Sequence, residues 1–227
     1  LLEGGVVNNR NKRVHAGRVW LNMRESNHHL ADLAAIETDI VADFKRDRPT
    51  LRTYKRDLGL LISSPNAQVL YHFDVAMVAL FHLRGAKRFY LYPPAAPWLT
   101  QGMVEAAVLR EKSEMGGFNP EYDKGAEIFD LAPGHWVSWP QNAPHRIVNG
   151  GDLNVSISME FLTTRSLLRA NQHYANGVLR KQGRSPALAP DYSVRGLSKA
   201  ALARAMKVVK PKPASEPWAA SFDLSAM

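Results

Sequence analysis

His72 and Asp74 stand two residues apart inside the otherwise apolar run Val69-Leu70-Tyr71-His72-Phe73-Asp74. In an extended strand, residues i and i+2 share a face, so the two side chains point the same way. If that face is the core, two polar groups are buried together, and buried charges are normally paired or bound to a metal. One more ligand is then needed. The strongest candidate is His145, which opens a strand just after the turn Gln141-Asn142-Ala143-Pro144. Two imidazoles and one carboxylate make a facial triad that leaves positions open on non-haem Fe(II) for a cosubstrate and O₂. The same donors accept Mn, Co, Ni or Zn. Without a metal, the three residues would have to satisfy one another in a buried hydrogen-bonded network.

Lys87 follows His72 in Gly85-Ala86-Lys87-Arg88-Phe89, at the start of the next apolar run. Inside the same cavity, its ammonium would bind the distal carboxylate of a small dicarboxylate held by the metal at its other end. Outside it, Lys87 would be a solvated lysine beside Arg88.

These residues need a scaffold of strands. Residues 58–92 contain LGLLIS, VLYHFDVAMVALFHL and KRFYLYP, rich in Val, Leu, Phe and Tyr and broken by SSPN and RGA. Strands resume at AEIFDL, HWVSWP, HRIVN and LNVSISMEFL, joined by PG, QNAP and NGGD. Short antiparallel strands with such turns predict a sandwich or barrel, whose alternate residues line an interior. Helical spacing appears at 27–47 with Asn27 as cap, at 97–114 with Pro97 near its first position, and at 165–182 ending at Gly183. A last helix is expected at 198–209, capped by Ser198 and stopped by Pro211, with a loosely held tail beyond. The expected organisation is an N-terminal strand and helix over 1–49, a β-barrel core over 50–163, and a helical region with a basic tail over 164–227.

The chain has 227 residues, 45% of them hydrophobic and 22% charged, as in ordinary globular proteins. It has no cysteine, which excludes disulfides, thiolate metal sites and cysteine nucleophiles. No apolar run is long enough to cross a membrane and no secretory signal is visible, so a cytoplasmic location is expected. The formal net charge of +8 is spread over segments such as RNKR (10–13), KRDR (45–48) and KVVKPKP (207–213). This is the pattern of a solvated surface, with a mild lean toward an anionic partner, and it does not predict nucleic-acid binding.

With these parts in view, SSPNAQVLYHFDVAMVALFHLRGAKRFYLYPP resembles the first metal-binding half of the jumonji-C, or cupin-like, oxygenases. LAPGHWVSWPQNAPHRIVNGGDLNVSISMEF resembles the second half, and the order of parts is the same. The resemblance spans about 60–163, and the helices from 165 on are similar to those after the barrel in bacterial members.

It implies a mainly β fold, a double-stranded β-helix (jelly-roll or cupin barrel) with flanking helices. It further implies Fe(II) held by His72, Asp74 and His145, and 2-oxoglutarate held through Lys87. The implied reaction decarboxylates 2-oxoglutarate to succinate and CO₂ and hydroxylates or demethylates a substrate, a protein side chain or small metabolite that the sequence does not name. The helices after the barrel are a candidate homodimer face.

The sequence departs from the family pattern at Val69, where Thr or Ser is common, at His82, often Gln, and at His135, often Asp. A two-residue hairpin at Arg84-Gly85 would set His82 opposite Lys87 on the inner face. The same pairing across Gly150-Gly151 would set His145 opposite Ser156. His82 and Ser156 are therefore expected to contact the cosubstrate or to wall the cavity. Two other readings keep the fold and change the function: a metal-binding cupin that does not use 2-oxoglutarate, and a catalytically silent cupin serving as an interaction module.

Overall fold

A computed structural model describes residues 19–114 and 116–209. The segment RNKR, Pro211 and the basic tail lie outside the described residues. Among the described residues, nine strands form two antiparallel sheets. They are β1 (Trp20–Met23), β2 (Thr53–Ser63), β3 (Gln68–His72), β4 (Met77–Arg84), β5 (Lys87–Leu91), β6 (Glu127–Leu131), β7 (Trp136–Trp139), β8 (His145–Asn149) and β9 (Asn154–Thr163). One sheet has the order β1-β2-β9-β4-β7 and the other β3-β8-β5-β6.

The inner faces meet. Val78 and Leu80 of β4 and Trp139 of β7 pack with Phe89 of β5, Leu131 of β6 and Ile147 of β8. From β2 to β5 and again from β6 to β9, sequential strands alternate between sheets, and the result is the jelly-roll, or double-stranded β-helix, of cupin type. Four helices flank it: α1 (Ala31–Asp47), α2 (Gln101–Val108), α3 (Thr164–Lys181) and α4 (Val194–Val209). Helix α1 covers the outer face of the first sheet, where Val41 and Phe44 pack on Ala79, Met159 and Phe161. Helices α3 and α4 pack on each other through Ala175 and Ala203. No helix of the described residues is long and apolar enough to cross a membrane.

Strand β9 brings polar residues to the interior beside that apolar cluster. Its alternation puts Ile157, Met159 and Phe161 on the outside, under α1, while Asn154, Ser156, Ser158 and Glu160 face inward. An antiparallel sandwich usually turns its apolar alternation to the inside. Here the outside is also covered, so the apolar row is buried there, and the polar row faces inward.

Several sequence expectations are corrected. VLYHFDVAMVALFHL is not one strand: β3 ends at His72 and β4 begins at Met77, in the other sheet. Arg84-Gly85 and Gly150-Gly151 are not hairpin loops, because β4 and β9 lie in one sheet and β5 and β8 in the other. Turn chemistry marks where the chain reverses and does not say whether it stays in the same sheet. Asn27 does not cap α1; its amide binds Glu37 and its oxygen accepts from the Leu58 backbone. Helix α2 starts later than the sequence suggests, capped by Thr100. Helix α4 starts earlier, with the Ser193 hydroxyl accepting from the Gly196 amide, which leaves Ser198 inside the helix.

Candidate metal centre

His72 ends β3 and His145 opens β8, and the two are register partners across the second sheet. Asp74 comes from the link between sheets. That link is held tightly on both sides: the Phe73 amide donates to the Glu114 carbonyl, the Val75 amide to the Glu114 carboxylate, and the Asn142 amide to the Asp74 carbonyl. The Gln141 side-chain amide donates to the Val75 carbonyl at 2.8 Å and to the Ser166 carbonyl at 3.0 Å.

Three potential ligand atoms, one from each of His72, Asp74 and His145, lie within 4.8 Å of one another. Asp74 Oδ1 is 3.8 Å from His72 Nε2, and its Oδ2 is 3.5 Å from His145 Nε2. Each imidazole donates Nδ1–H to a backbone carbonyl, His72 to Leu70 at 2.8 Å and His145 to Ala143 at 3.1 Å. A carbonyl can only accept, so these bonds fix the tautomer and leave both Nε2 lone pairs facing the carboxylate, the arrangement a metal-binding histidine requires. Burial, reinforced by the neighbouring His72, pushes His145 down to about 4 against the pull of Asp74. His145 is therefore a neutral donor at pH 7.

Lys87 heads β5 on the same inner face, paired with Asn149, while Leu91 pairs with His145. Four residues of strand, at about 3.3 Å each, separate the two register positions by roughly 13 Å. Lys87 is 3% exposed, and its ammonium has no hydrogen-bonding or ion-pair partner among the described residues. Burial lowers it to about 8, so it still carries charge at neutral pH. Asn149 beside it donates to Ser63 Oγ at 2.7 Å and leaves its own Oδ1 unpartnered. A buried cation without a carboxylate is costly unless a ligand supplies the anion.

His82 and Ser156 are register partners and hydrogen-bond at 3.0 Å. His82 Nε2–H donates to the Gly85 carbonyl at 3.0 Å, so Nδ1 accepts the Ser156 hydroxyl proton. Burial outweighs that carbonyl and, with Lys87 nearby, holds His82 below its ordinary value and neutral. Both ring nitrogens are thus occupied. The expected pairing of His145 with Ser156 does not occur, because they sit in different sheets.

At the opposite end of the inner row, Arg24 bridges Asp57 at 2.8 Å and Glu160 at 2.9 Å. Burial, aided by the charge of Asp74, raises Glu160 to about 7 despite the guanidinium; Glu114 is raised for the same two reasons. Sequence reasoning did not identify Arg24, Asp57, Glu114, Asn149 or Glu160. Only the alternation of β9 carried a signal, for Glu160. Trp139 is buried with its ring centroid 4.6 Å from that of His145, while Trp136 stacks outside on Phe81. Tyr71, Tyr90 and Tyr92 pack on the outer face of the second sheet with Tyr122 and Arg146.

No family model and no curated protein matches the sequence. Among solved structures, the chain is similar to YcfD of E. coli, with TM-score 0.47 and 16% identity over 92% of this chain and 53% of that one. A second YcfD structure, described as a ribosomal oxygenase in complex with cobalt and 2-oxoglutarate, gives 0.46 and 17% over 90% and 51%. The polyketide cyclase RemF from Streptomyces resistomycificus gives 0.31 and 18% over 47% and 54%. The chain thus spans about half the length of these proteins.

Proposed function

We propose that the protein is an Fe(II)- and 2-oxoglutarate-dependent oxygenase of the jumonji-C, cupin-like kind. The observation that carries the proposal is the pairing of two features on one inner face: a His72–Asp74–His145 donor set with fixed tautomers, and a buried, anion-less Lys87 at the other end. The donor set suits a divalent ion that keeps open positions. The charges balance as well. Asp74 contributes −1 and Lys87 +1, so these two side chains together with a divalent metal and a dicarboxylate sum to zero.

His72, Asp74 and His145 would hold the metal, and Lys87 would hold the distal carboxylate. His82, locked by Gly85 and Ser156, would wall the cosubstrate site, and Ser156 and Ser158 keep that wall small. When bound, the metal and 2-oxoglutarate supply O₂ activation with release of succinate and CO₂. The protein's own residues do the rest. The Leu70 and Ala143 carbonyls orient the imidazoles, Glu114 and Gln141 hold the Asp74 link in place, and Trp139 shields His145 from water. YcfD, a ribosomal oxygenase bound to cobalt and 2-oxoglutarate, is in keeping with this reading. The substrate would be a protein side chain or a metabolite, hydroxylated or demethylated.

The test is succinate formation from 2-oxoglutarate by iron-loaded protein exposed to air without added substrate. Uncoupled turnover is expected in the wild type and absent in His72→Ala and Lys87→Ala. No turnover, together with no effect of 2-oxoglutarate on the bound metal's spectrum, would favour the metal-only cupin.

A further inference from the structure

A second cavity, of about 730 Å³, lies between the end of the barrel and helices α2 and α3. None of the triad residues lines it, nor does Lys87. Its floor is apolar, with Leu99, Val104 and Leu188, and Ala95 is exposed at its wall. Its polar wall is Arg165, Arg169, His173, Asp191 and Asn142.

That polar wall is incompletely satisfied. Asp191, 3% exposed, accepts from Arg165 Nε at 2.9 Å and from Arg169 Nε at 2.6 Å and Nη2 at 2.9 Å. One carboxylate thus answers two guanidiniums. The Arg165 side chain is largely exposed, so its Nη groups are open to solvent and to a ligand, and Nη1 of Arg169 has no partner among the described residues. His173 is only 4% exposed, and its buried Nδ1 has no hydrogen bond among the described residues. Asn142, also buried, leaves its Oδ1 unpartnered. The N-terminus of α3, from Thr163 to Ser166, borders the same space, adding the positive end of its dipole. Burial, with Arg169 beside it, pushes His173 down to about 4, so it contributes no charge of its own and the wall nets +1.

Asn142 Oδ1 can only accept and calls for a donor, whereas a His173 N–H can donate to an anion; a buried, unpartnered imidazole beside two guanidiniums is a standing cost to the fold. Such a cost is expected where a ligand satisfies the imidazole. We infer that this cavity is a binding site for a small monoanionic carboxylate with an apolar body, its carboxylate on Arg165 and Arg169 beside His173 and its body on Leu99, Val104 and Leu188. The site is separate from the metal centre and does not depend on the proposed oxygenase activity.

Phenylacetate is a suitable probe and phenylacetamide its neutral match, titrated calorimetrically into the full chain in EDTA. Phenylacetate is expected to bind and phenylacetamide at least tenfold more weakly. Arg165→Gln and Ala95→Trp, both at exposed positions, and His173→Leu should each weaken binding at least tenfold, while Lys87→Met leaves it unchanged. His173→Leu should also melt no lower than the wild type, since it removes an unsatisfied group. The inference is overturned if phenylacetate does not bind at millimolar concentration, if both probes bind equally, or if Lys87→Met abolishes binding and His173→Leu does not.

Discussion

Asp74 lies outside any strand, yet its Oδ2 is 3.5 Å from Nε2 of the fully enclosed His145. The carboxylate is aimed by hydrogen bonds of its link to Glu114 and Asn142, and it faces the Nε2 atoms of two imidazoles. This produces a metal-dependent stability. At a Mn(II) concentration of 100 times its dissociation constant, the wild type should gain about 2.7 kcal/mol. His72→Ala and His145→Ala should gain nothing, and in EDTA Asp74→Asn should melt at or above the wild type. Calorimetric scans with and without Mn(II) check this, and a full metal-induced gain in His145→Ala would refute the assignment.

Lys87 sets a pH dependence. Its ammonium is depressed from 10.5 to about 8 by burial, which corresponds to a penalty of roughly 3 kcal/mol at pH 7. In that window the unfolded chain holds the proton more tightly, so stability should rise between pH 8 and 10.5. Lys87→Met should abolish the rise and be more stable than the wild type at pH 7. The same variant should lose 2-oxoglutarate binding while keeping Mn(II), and wild-type affinity for 2-oxoglutarate should fall about tenfold per pH unit above 8. Denaturant melts and calorimetry across pH 7–10 decide it; a flat wild-type profile would count against a buried free ammonium.

Glu160 acts in the opposite sense. Its carboxyl is raised from 4.5 to about 7, so the folded state holds the proton that the unfolded chain releases. In EDTA, the stability it contributes is present below pH 4.5 and lost as pH rises through 7. With Arg24 nearby and the side chain partly open, the loss should be roughly 1–2 kcal/mol. Glu160→Gln should flatten that segment of the curve. If the variant falls as steeply as the wild type, the titrating group is elsewhere.

Gly85 makes the crossover from β4 to β5 with φ of 86°. A Cβ there would meet Asn154 Oδ1 at 2.7 Å and the Leu153 carbonyl at 2.8 Å. Left-handed backbone alone costs a non-glycine about 1–2 kcal/mol, and the contacts add to it. Gly85→Ala should destabilise the protein by at least about 2 kcal/mol and shift the His82 ring resonances, since His82 donates to the Gly85 carbonyl. A variant with unchanged stability would show that the crossover is not constrained.

Much of the site was legible in the sequence because its constraints are local. The His72-x-Asp74 spacing, the lysine opening the next strand and the histidine after a Pro-containing turn each concern a few adjacent residues. The reason first given for His72 and Asp74 sharing a direction was nevertheless incorrect: they converge because the chain leaves one sheet between them. The strands themselves were read well, since alternation and turn residues act over short range.

What the sequence determined by itself was the element pattern and the types of the candidate donors. Those follow from side-chain chemistry and short-range periodicity. Only the tertiary structure decided which sheet each strand joins, and hence that His82 faces Ser156 and not His145. It alone brought Glu114, Asn142 and Gln141 under the Asp74 link, placed Glu160 and Asp57 beside Arg24, and set Arg165, Arg169 and His173 around a second cavity. Those relationships join residues far apart in the chain. They depend on which faces are covered, as β9 shows by burying its apolar row outside and its polar row within.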